Sequence, residues 1–119
     1  MSEVELQARL DAHAKWLAFE PGGARLDASG EDWSGARLSR RDLREAIFRG
    51  TRLERADLSH ADLSGADLAD AKLSDADLTD ANLAKADFHR AALRGAKLDR
   101  AAVTRTDFTG ADLGDAKLP

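Results

Sequence analysis

The hydrophobic positions of this chain recur every five residues. From Glu31 to Asp115 the sequence divides into seventeen consecutive quintets without an insertion, and a shortened quintet follows. The central position of every quintet holds a large apolar residue, from Trp33 to Leu118. Alanine stands two residues before the centre, except at Glu31, Arg41, Thr51 and Thr106. The other three positions carry nearly all of the charged residues, so we expect them to face water.

A period of five fits neither regular secondary structure. In an α-helix, a step of five residues rotates the side chain by about 140°, so the leucines would spiral around the helix axis. In a β-strand, side chains on one face lie two residues apart, so an odd period changes face at each step. The leucine is buried every time only if the chain turns a corner once per quintet. Four corners close a coil of twenty residues, and successive coils then stack about 4.8 Å apart with strand-like hydrogen bonds.

Segments such as ADLSHADLSGADLAD repeat an A-D-L-x-x motif that resembles the pentapeptide-repeat family. The resemblance covers residues 31–119. It implies an all-β solenoid, specifically a right-handed quadrilateral parallel β-helix of about four coils. The handedness comes from the resemblance alone, because the spacing does not determine it. We therefore predict a β-helix over residues 31–119 and an N-terminal helical cap with a starter coil over residues 1–30.

The N-terminal segment has the signals of a capping helix. Ser2 and Glu5 have the spacing of a capping box, and Pro21 follows as a helix terminator. The apolar stripe between these signals consists of Leu6, Leu10, His13 and Leu17. We predict an amphipathic helix over residues 2–19 whose apolar side, including Trp16 and Phe19, covers the first coil, as the exposed end of a solenoid requires. In this interpretation His13 packs into the cap and is not a ligand.

The twenty-residue coil also predicts which side chains share a column. Phe48, Phe88 and Phe108 are separated by multiples of twenty residues, so we expect the three phenylalanines of the repeat to lie in one interior column. No helical or aromatic segment follows Leu118. An open last coil presents apolar side chains and unpaired edges, which favours association.

We therefore predict that two copies associate end to end through Phe108, Leu113 and Leu118. The alternative is that Pro119 and the acidic residues around Asp112 and Asp115 block the edge.

Composition adds few candidates for chemistry. The 119 residues include no cysteine, so disulfides and thiolate metal ligands are excluded. The three histidines are dispersed, and no phosphate-binding glycine loop, His-x-x-x-His motif or Ser-His-Asp arrangement is present. We predict that the protein is not an enzyme and has no catalytic, cofactor or metal site. The sequence shows no signal peptide and no apolar segment of membrane-spanning length, so we expect a cytoplasmic protein without a membrane partner.

The charges of the repeat change sign along the chain. Basic residues dominate over residues 37–55 and again over residues 85–105. Between these segments lies an acidic belt that consists of Asp57, Asp62, Asp67, Asp70, Asp75, Asp77 and Asp80. Ion pairing between adjacent coils is one explanation of this alternation. The other is that the acidic belt faces a protein partner.

These observations predict a non-catalytic structural or protein-interaction scaffold with an unidentified protein partner. Some pentapeptide-repeat proteins resemble DNA in shape and charge and bind bacterial DNA gyrase. The resemblance therefore implies an alternative, a DNA-mimicking gyrase modulator of the quinolone-resistance type. A net charge of −4 and the basic segments beside the belt argue against this alternative. The acidic net charge also argues against direct binding of nucleic acid.

Overall fold

The computed structural model describes all residues from Met1 to Pro119. One helix, α1, spans Glu3–Leu17. From Asp27 onward the chain consists of turns and isolated parallel β-bridges, each of which joins residues twenty apart. The backbone therefore winds into stacked coils of twenty residues, which confirms the predicted coil length. The molecule measures 42 × 28 × 21 Å, and α1 is too short and too polar to cross a lipid bilayer.

No extended strand is present, in contrast to the usual appearance of an all-β protein. Each quintet has one bridged residue, and a turn of two residues interrupts the extended segment. At such a corner the N–H of Ala61 donates to the C=O of Leu58 at 3.1 Å. His60, the residue before Ala61, has a φ of 60°, which is the left-handed conformation that one class of β-turn requires at its third position. The corners thus leave too little extended backbone for a strand.

Backbone hydrogen bonds join each coil to the next. The N–H of Leu58 donates to the C=O of Asp77 at 2.8 Å, and the N–H of Asp77 donates to the C=O of Ala56 at 3.0 Å. The same pair of bonds recurs at the corresponding positions of nearly every quintet. An inner coil is therefore hydrogen-bonded on both of its sides, as a central strand of a parallel sheet is.

The central side chains of the quintets fill the interior. Every central residue from Leu38 to Leu98 is at most 1% exposed, and the alanines two positions before the centre are buried from Ala46 to Ala96. The rings of Phe88 and Phe108 stack with their centroids 5.4 Å apart. Phe48 packs edge-on against Trp33, since Leu68 occupies the column between Phe48 and Phe88. The inward assignment is thus confirmed for the central residues from Trp33 to Leu98, whereas Val103 and Leu118 in the last coil are exposed.

All four departures from alanine have a structural explanation. The carboxylate of Glu31 accepts a hydrogen bond from Arg9 at 2.6 Å, and Arg41 donates to the side chain of Gln7 at 2.8 Å. Both contacts join the first coil to α1. The hydroxyl of Thr51 donates to the C=O of Ala28 at 2.8 Å, and that of Thr106 donates to the C=O of Leu83 at 2.7 Å. The first two exceptions therefore hold the cap, and the other two bond to a neighbouring coil.

Helix α1 covers the first coil through Leu6, Leu10 and His13, which are buried. The side chain of Ser2 accepts the N–H of Glu5 at 3.1 Å, so Ser2 is the N-cap, as predicted. The bridges begin at Asp27, inside the segment predicted as the starter coil. The domain boundary at residue 30 stays a prediction.

The prediction that Phe19 helps to cover the first coil is wrong. Phe19 is 97% exposed. The helix ends at Leu17, and the N–H of Glu20 returns to the C=O of Lys15 at 2.9 Å, which is the hydrogen bond of a Schellman motif. This reversal places Phe19 at a φ of 59° and directs its ring into solvent.

Replacement of a central residue is expected to destabilise the stack far more than replacement of its outward neighbour. Leu73→Asp places an unpaired charge among fully buried side chains, at a cost of several kcal/mol. Ser74→Asp adds the same charge at a position that water reaches. Thermal unfolding of both variants measures the difference, and equal losses of stability would contradict the inward assignment of Leu73.

Candidate functional site

The seven aspartates of the acidic belt do not form one patch. Consecutive quintets lie on different sides of the coil, and the bridges identify which residues share a side. Asp57 is bridged to Asp77, whereas Asp62 is bridged to Asn82 on the next side. Asp67 lies on a third side, where it is bridged to Asp87. The belt therefore surrounds the stack, and a flat partner surface meets only part of it.

Four belt residues stand immediately before a central residue, and each accepts a backbone hydrogen bond. One carboxylate oxygen of Asp57 accepts the N–H of Ser59 at 3.0 Å and its hydroxyl at 2.6 Å. The corresponding N–H bonds of the other three measure 2.9–3.0 Å and involve Asp62, Asp67 and Asp77. Asn82 makes the same bond to Ala84 at 3.1 Å. These Asx turns satisfy an N–H group at the corner, and the contact depends on an oxygen acceptor and not on a negative charge.

Arginines neutralise three aspartates of the belt. Asp70 pairs with Arg90 at 2.8 Å, and Asp80 pairs with Arg100 at 2.8 Å. In both pairs the arginine lies twenty residues after the aspartate, which is one coil further along the stack. Hydrogen bonds from these arginines lower the pKa of Asp70 and of Asp80. Water screens such exposed pairs, so they contribute little to stability.

Asp67 also pairs across the coils, with Arg49 at 2.8 Å. Ion pairing between adjacent coils, one of the two explanations of the charge alternation, is thus observed. Asp75 makes neither an ion pair nor an Asx turn.

One side of the stack carries a continuous row of carboxylates. Asp67 is bridged to Asp87, and Asp87 is bridged to Asp107, so the three lie above one another at about 4.8 Å intervals. We call these three residues the acidic ladder. Each uses one oxygen in an Asx turn, with bonds of 2.8–3.0 Å. Of the three, only Asp67 belongs to the predicted belt. The spacing of twenty residues between Asp67, Asp87 and Asp107 would have identified the other two in the sequence.

The residues predicted to associate end to end lie together on the last coil. Phe108 and Leu113 are half-buried, and Leu118 is 62% exposed. The N–H groups of Phe108 and Leu113 make no backbone hydrogen bond, whereas the corresponding N–H groups of earlier coils do. This end of the stack therefore presents apolar side chains beside free backbone donors.

Candidates for chemistry are few and separated. His13 is buried under the cap, whereas His60 is exposed and lies beside Asp80 at 3.6 Å. No group of three or more histidines and carboxylates is placed to hold a metal ion. The largest cavity, of about 350 Å³, is a shallow depression beside the end of α1 that includes Trp16 and Phe19.

The pentapeptide-repeat family model matches eight copies of its repeat, over residues 27–59, 61–100 and 86–119. Among crystal structures, the chain is similar to the pentapeptide repeat protein Rfr23 of Cyanothece 51142, with 33% identity and a TM-score of 0.70. The match covers 74% of this chain and 60% of Rfr23.

A thylakoid-lumen pentapeptide repeat protein of Arabidopsis thaliana is 39% identical, with a TM-score of 0.62 and coverage of 79% of this chain and 69% of its own. A pentapeptide repeat protein of Nostoc PCC 7120 is 31% identical, with a TM-score of 0.58 and coverage of 74% and 84%. No curated protein matches the chain.

The Asx turns predict that the acceptor at Asp57 matters more than its charge. Asp57→Asn retains the oxygen that accepts the N–H of Ser59, so we expect little loss of stability. Asp57→Ala removes it, and we expect a loss of about 1 kcal/mol. Chemical denaturation of both variants provides the test. Lys72→Ala is the control, because Lys72 occupies the same quintet position as Asp57 and makes no such bond. Equal stability of the alanine and asparagine variants at position 57 would contradict the assigned role.

Proposed function

The chain belongs to the pentapeptide-repeat family, and from this premise we propose that it is a non-catalytic protein-interaction scaffold with the right-handed quadrilateral β-helix of that family. The twenty-residue register supports four sides per coil, and the family supplies the handedness. The interior supports a role without catalysis, because the central residues leave no space there for a substrate. The walls are then the surfaces that meet a partner.

The acidic ladder is the observation that carries this proposal. Asx turns hold its three carboxylates in fixed positions on one wall. Arg49 pairs with Asp67, so Asp87 and Asp107 carry the negative charge that has no partner within the chain. A fixed side chain loses little conformational entropy when a partner binds. Lysine and arginine side chains on a partner surface complement a row of negative charges, and such complementarity favours specificity and fast association. We therefore propose a protein partner with a basic surface.

The DNA-mimicking alternative has less support from the arrangement of charges. Arg49, Arg90 and Arg100 neutralise carboxylates of the belt. The remaining belt residues are distributed over several sides of the stack. A mimic of duplex DNA needs continuous negative charge along its length, and the acidic ladder covers one side only.

Neutralisation of the acidic ladder is expected to weaken capture of the partner without unfolding the chain. The triple variant Asp67→Asn, Asp87→Asn and Asp107→Asn removes three charges and retains the acceptor of every Asx turn. The measurement compares the proteins that immobilised wild-type and variant chains retain from a lysate of the source cells, quantified by mass spectrometry at low and moderate salt.

A matched variant on other sides of the stack is the control for net charge. Asp57→Asn, Asp62→Asn and Asp77→Asn remove the same number of charges from the same type of position. We expect this variant to retain the partner that the ladder variant loses. Equal retention by the two variants would remove the acidic ladder from the proposed interface.

We further propose that a second copy of the chain covers the last coil. The free N–H groups of Phe108 and Leu113 lie beside the exposed side chain of Leu118. Two such ends, related by a two-fold axis, bury each other's apolar side chains and present backbone donors and acceptors to each other.

Leu118→Glu is expected to convert the dimer into a monomer, because it places a charge in the apolar contact at an exposed position that the fold tolerates. Light scattering at micromolar concentration measures the mass. Val4→Glu is the control, since Val4 is 80% exposed on α1 at the opposite end. A monomeric mass for the wild-type chain would refute the proposed dimer.

A further inference from the structure

His13 connects the cap to the first coil through both of its ring nitrogens. Its side chain is completely buried. The Nδ1 atom accepts the N–H of Leu26 at 2.9 Å, and the Nε2 atom lies 2.9 Å from the carbonyl oxygen of Arg44. The ring also stacks on Trp16, with centroids 5.5 Å apart. One side chain thus joins α1, the segment that enters the stack, and a corner of the first coil.

These bonds fit only one protonation state of the ring. Leu26 donates to Nδ1, so Nδ1 carries no proton, and the proton on Nε2 is donated to the carbonyl of Arg44. A second proton would lie on Nδ1 and face the N–H of Leu26. The buried N–H would then lose its acceptor, and a positive charge would be enclosed beneath the cap. Protonation is therefore incompatible with the observed contacts.

The charged groups near the ring do not compensate for its burial. Asp42 favours the protonated ring, but Asp42 is already paired with Arg44 at 2.7 Å. Arg25 and Arg44 both disfavour the protonated ring. Burial is the largest influence and lowers the pKa of His13, although the bond to the carbonyl of Arg44 acts in the opposite direction.

We propose that His13 is a pH-sensitive latch that holds helix α1 on the first coil and releases it when the ring is protonated. Leu26 leads directly into the stack and is itself 2% exposed. Loss of its hydrogen bond therefore loosens the segment between α1 and the first coil. Release uncovers the apolar end that Leu6 and Leu10 cover in the closed form.

The direction of the pH dependence follows from the lowered pKa. The released state binds the proton more tightly than the closed state, so acidification favours release. The stability of the closed state is fully present above the ordinary histidine pKa of about 6.5 and is lost as the pH falls through that value towards the lower pKa of the closed state. The pKa of Asp42, the carboxyl nearest this contact, is lowered by its bond to Arg44, so Asp42 remains charged in this range.

Hydrogen exchange measured by NMR tests the latch on the full chain. Between about pH 7.5 and about pH 5, we expect the protection factor of the Leu26 amide to fall several-fold. The amide of Leu63, which bonds to Asn82 within the inner coils, is expected to keep its protection. His60→Gln, a change at an exposed histidine, is expected to leave the response of Leu26 unchanged.

His13→Asn removes the titrating ring and retains an oxygen that accepts the N–H of Leu26. We expect protection of Leu26 to become independent of pH in this variant. If α1 detaches from the first coil in this variant, the wild-type chain still provides a test. At neutral pH, the ¹⁵N chemical shifts of the His13 ring should report the Nε2-protonated form. As the pH falls, these shifts should change over the same range in which Leu26 loses protection. A ring that titrates while Leu26 stays protected, or a pH response that persists in His13→Asn, would overturn the proposal.

Discussion

The hydrogen bonds between residues twenty apart are the constraint on which the rest of this structure depends. The N–H of Leu58 reaches the C=O of Asp77 only if the intervening chain has the length of one complete coil. One inserted residue would displace all later residues by one position and turn leucines outward. The repeat accordingly runs from Glu31 to Asp115 without an insertion. The same register places corresponding residues of successive coils above one another. It therefore aligns both the buried side chains and the exposed side chains into columns.

Because of this register, the charged residues that are neighbours on the surface differ from those that are neighbours in the sequence. Asp57 and Asp62 are adjacent quintet positions in the sequence but lie on different sides, whereas Asp67 and Asp87 are distant in the sequence and adjacent on one wall. A band of like charge along the sequence therefore becomes a ring around the stack. The corners then use one carboxylate oxygen of many aspartates as a backbone acceptor. Register and corner together align three carboxylates on one side of the stack, which form the acidic ladder.

The period of five was sufficient to predict the buried leucines and alanines and the coil of twenty residues, because each of these follows from packing that is repeated many times. Contacts that occur only once in the chain could not be predicted from the repeat. Phe19 faces solvent because α1 ends at Leu17, and that end depends on local backbone bonds. Glu31 and Arg41 were visible as exceptions, but their partners on α1 depend on how the helix lies across the first coil. Handedness required the family resemblance.

The two end coils differ in kind from the inner coils. An inner coil such as that around Leu63 is bonded on both sides, so only its walls face solvent. In the first coil, Glu31 and Arg41 stand at two positions where the repeat has alanine, and both bind α1. His13 adds a bond to Leu26 that only the neutral ring can accept. The contact between α1 and the first coil therefore depends on these particular residues and on a neutral His13 ring. The last coil has the apolar side chains of the repeat and the free N–H groups of Phe108 and Leu113. These are the same kinds of group that join one inner coil to the next. In the proposed latch, the response to pH lies at the capped end, because His13 joins α1 to the first coil through bonds that only the neutral ring can make.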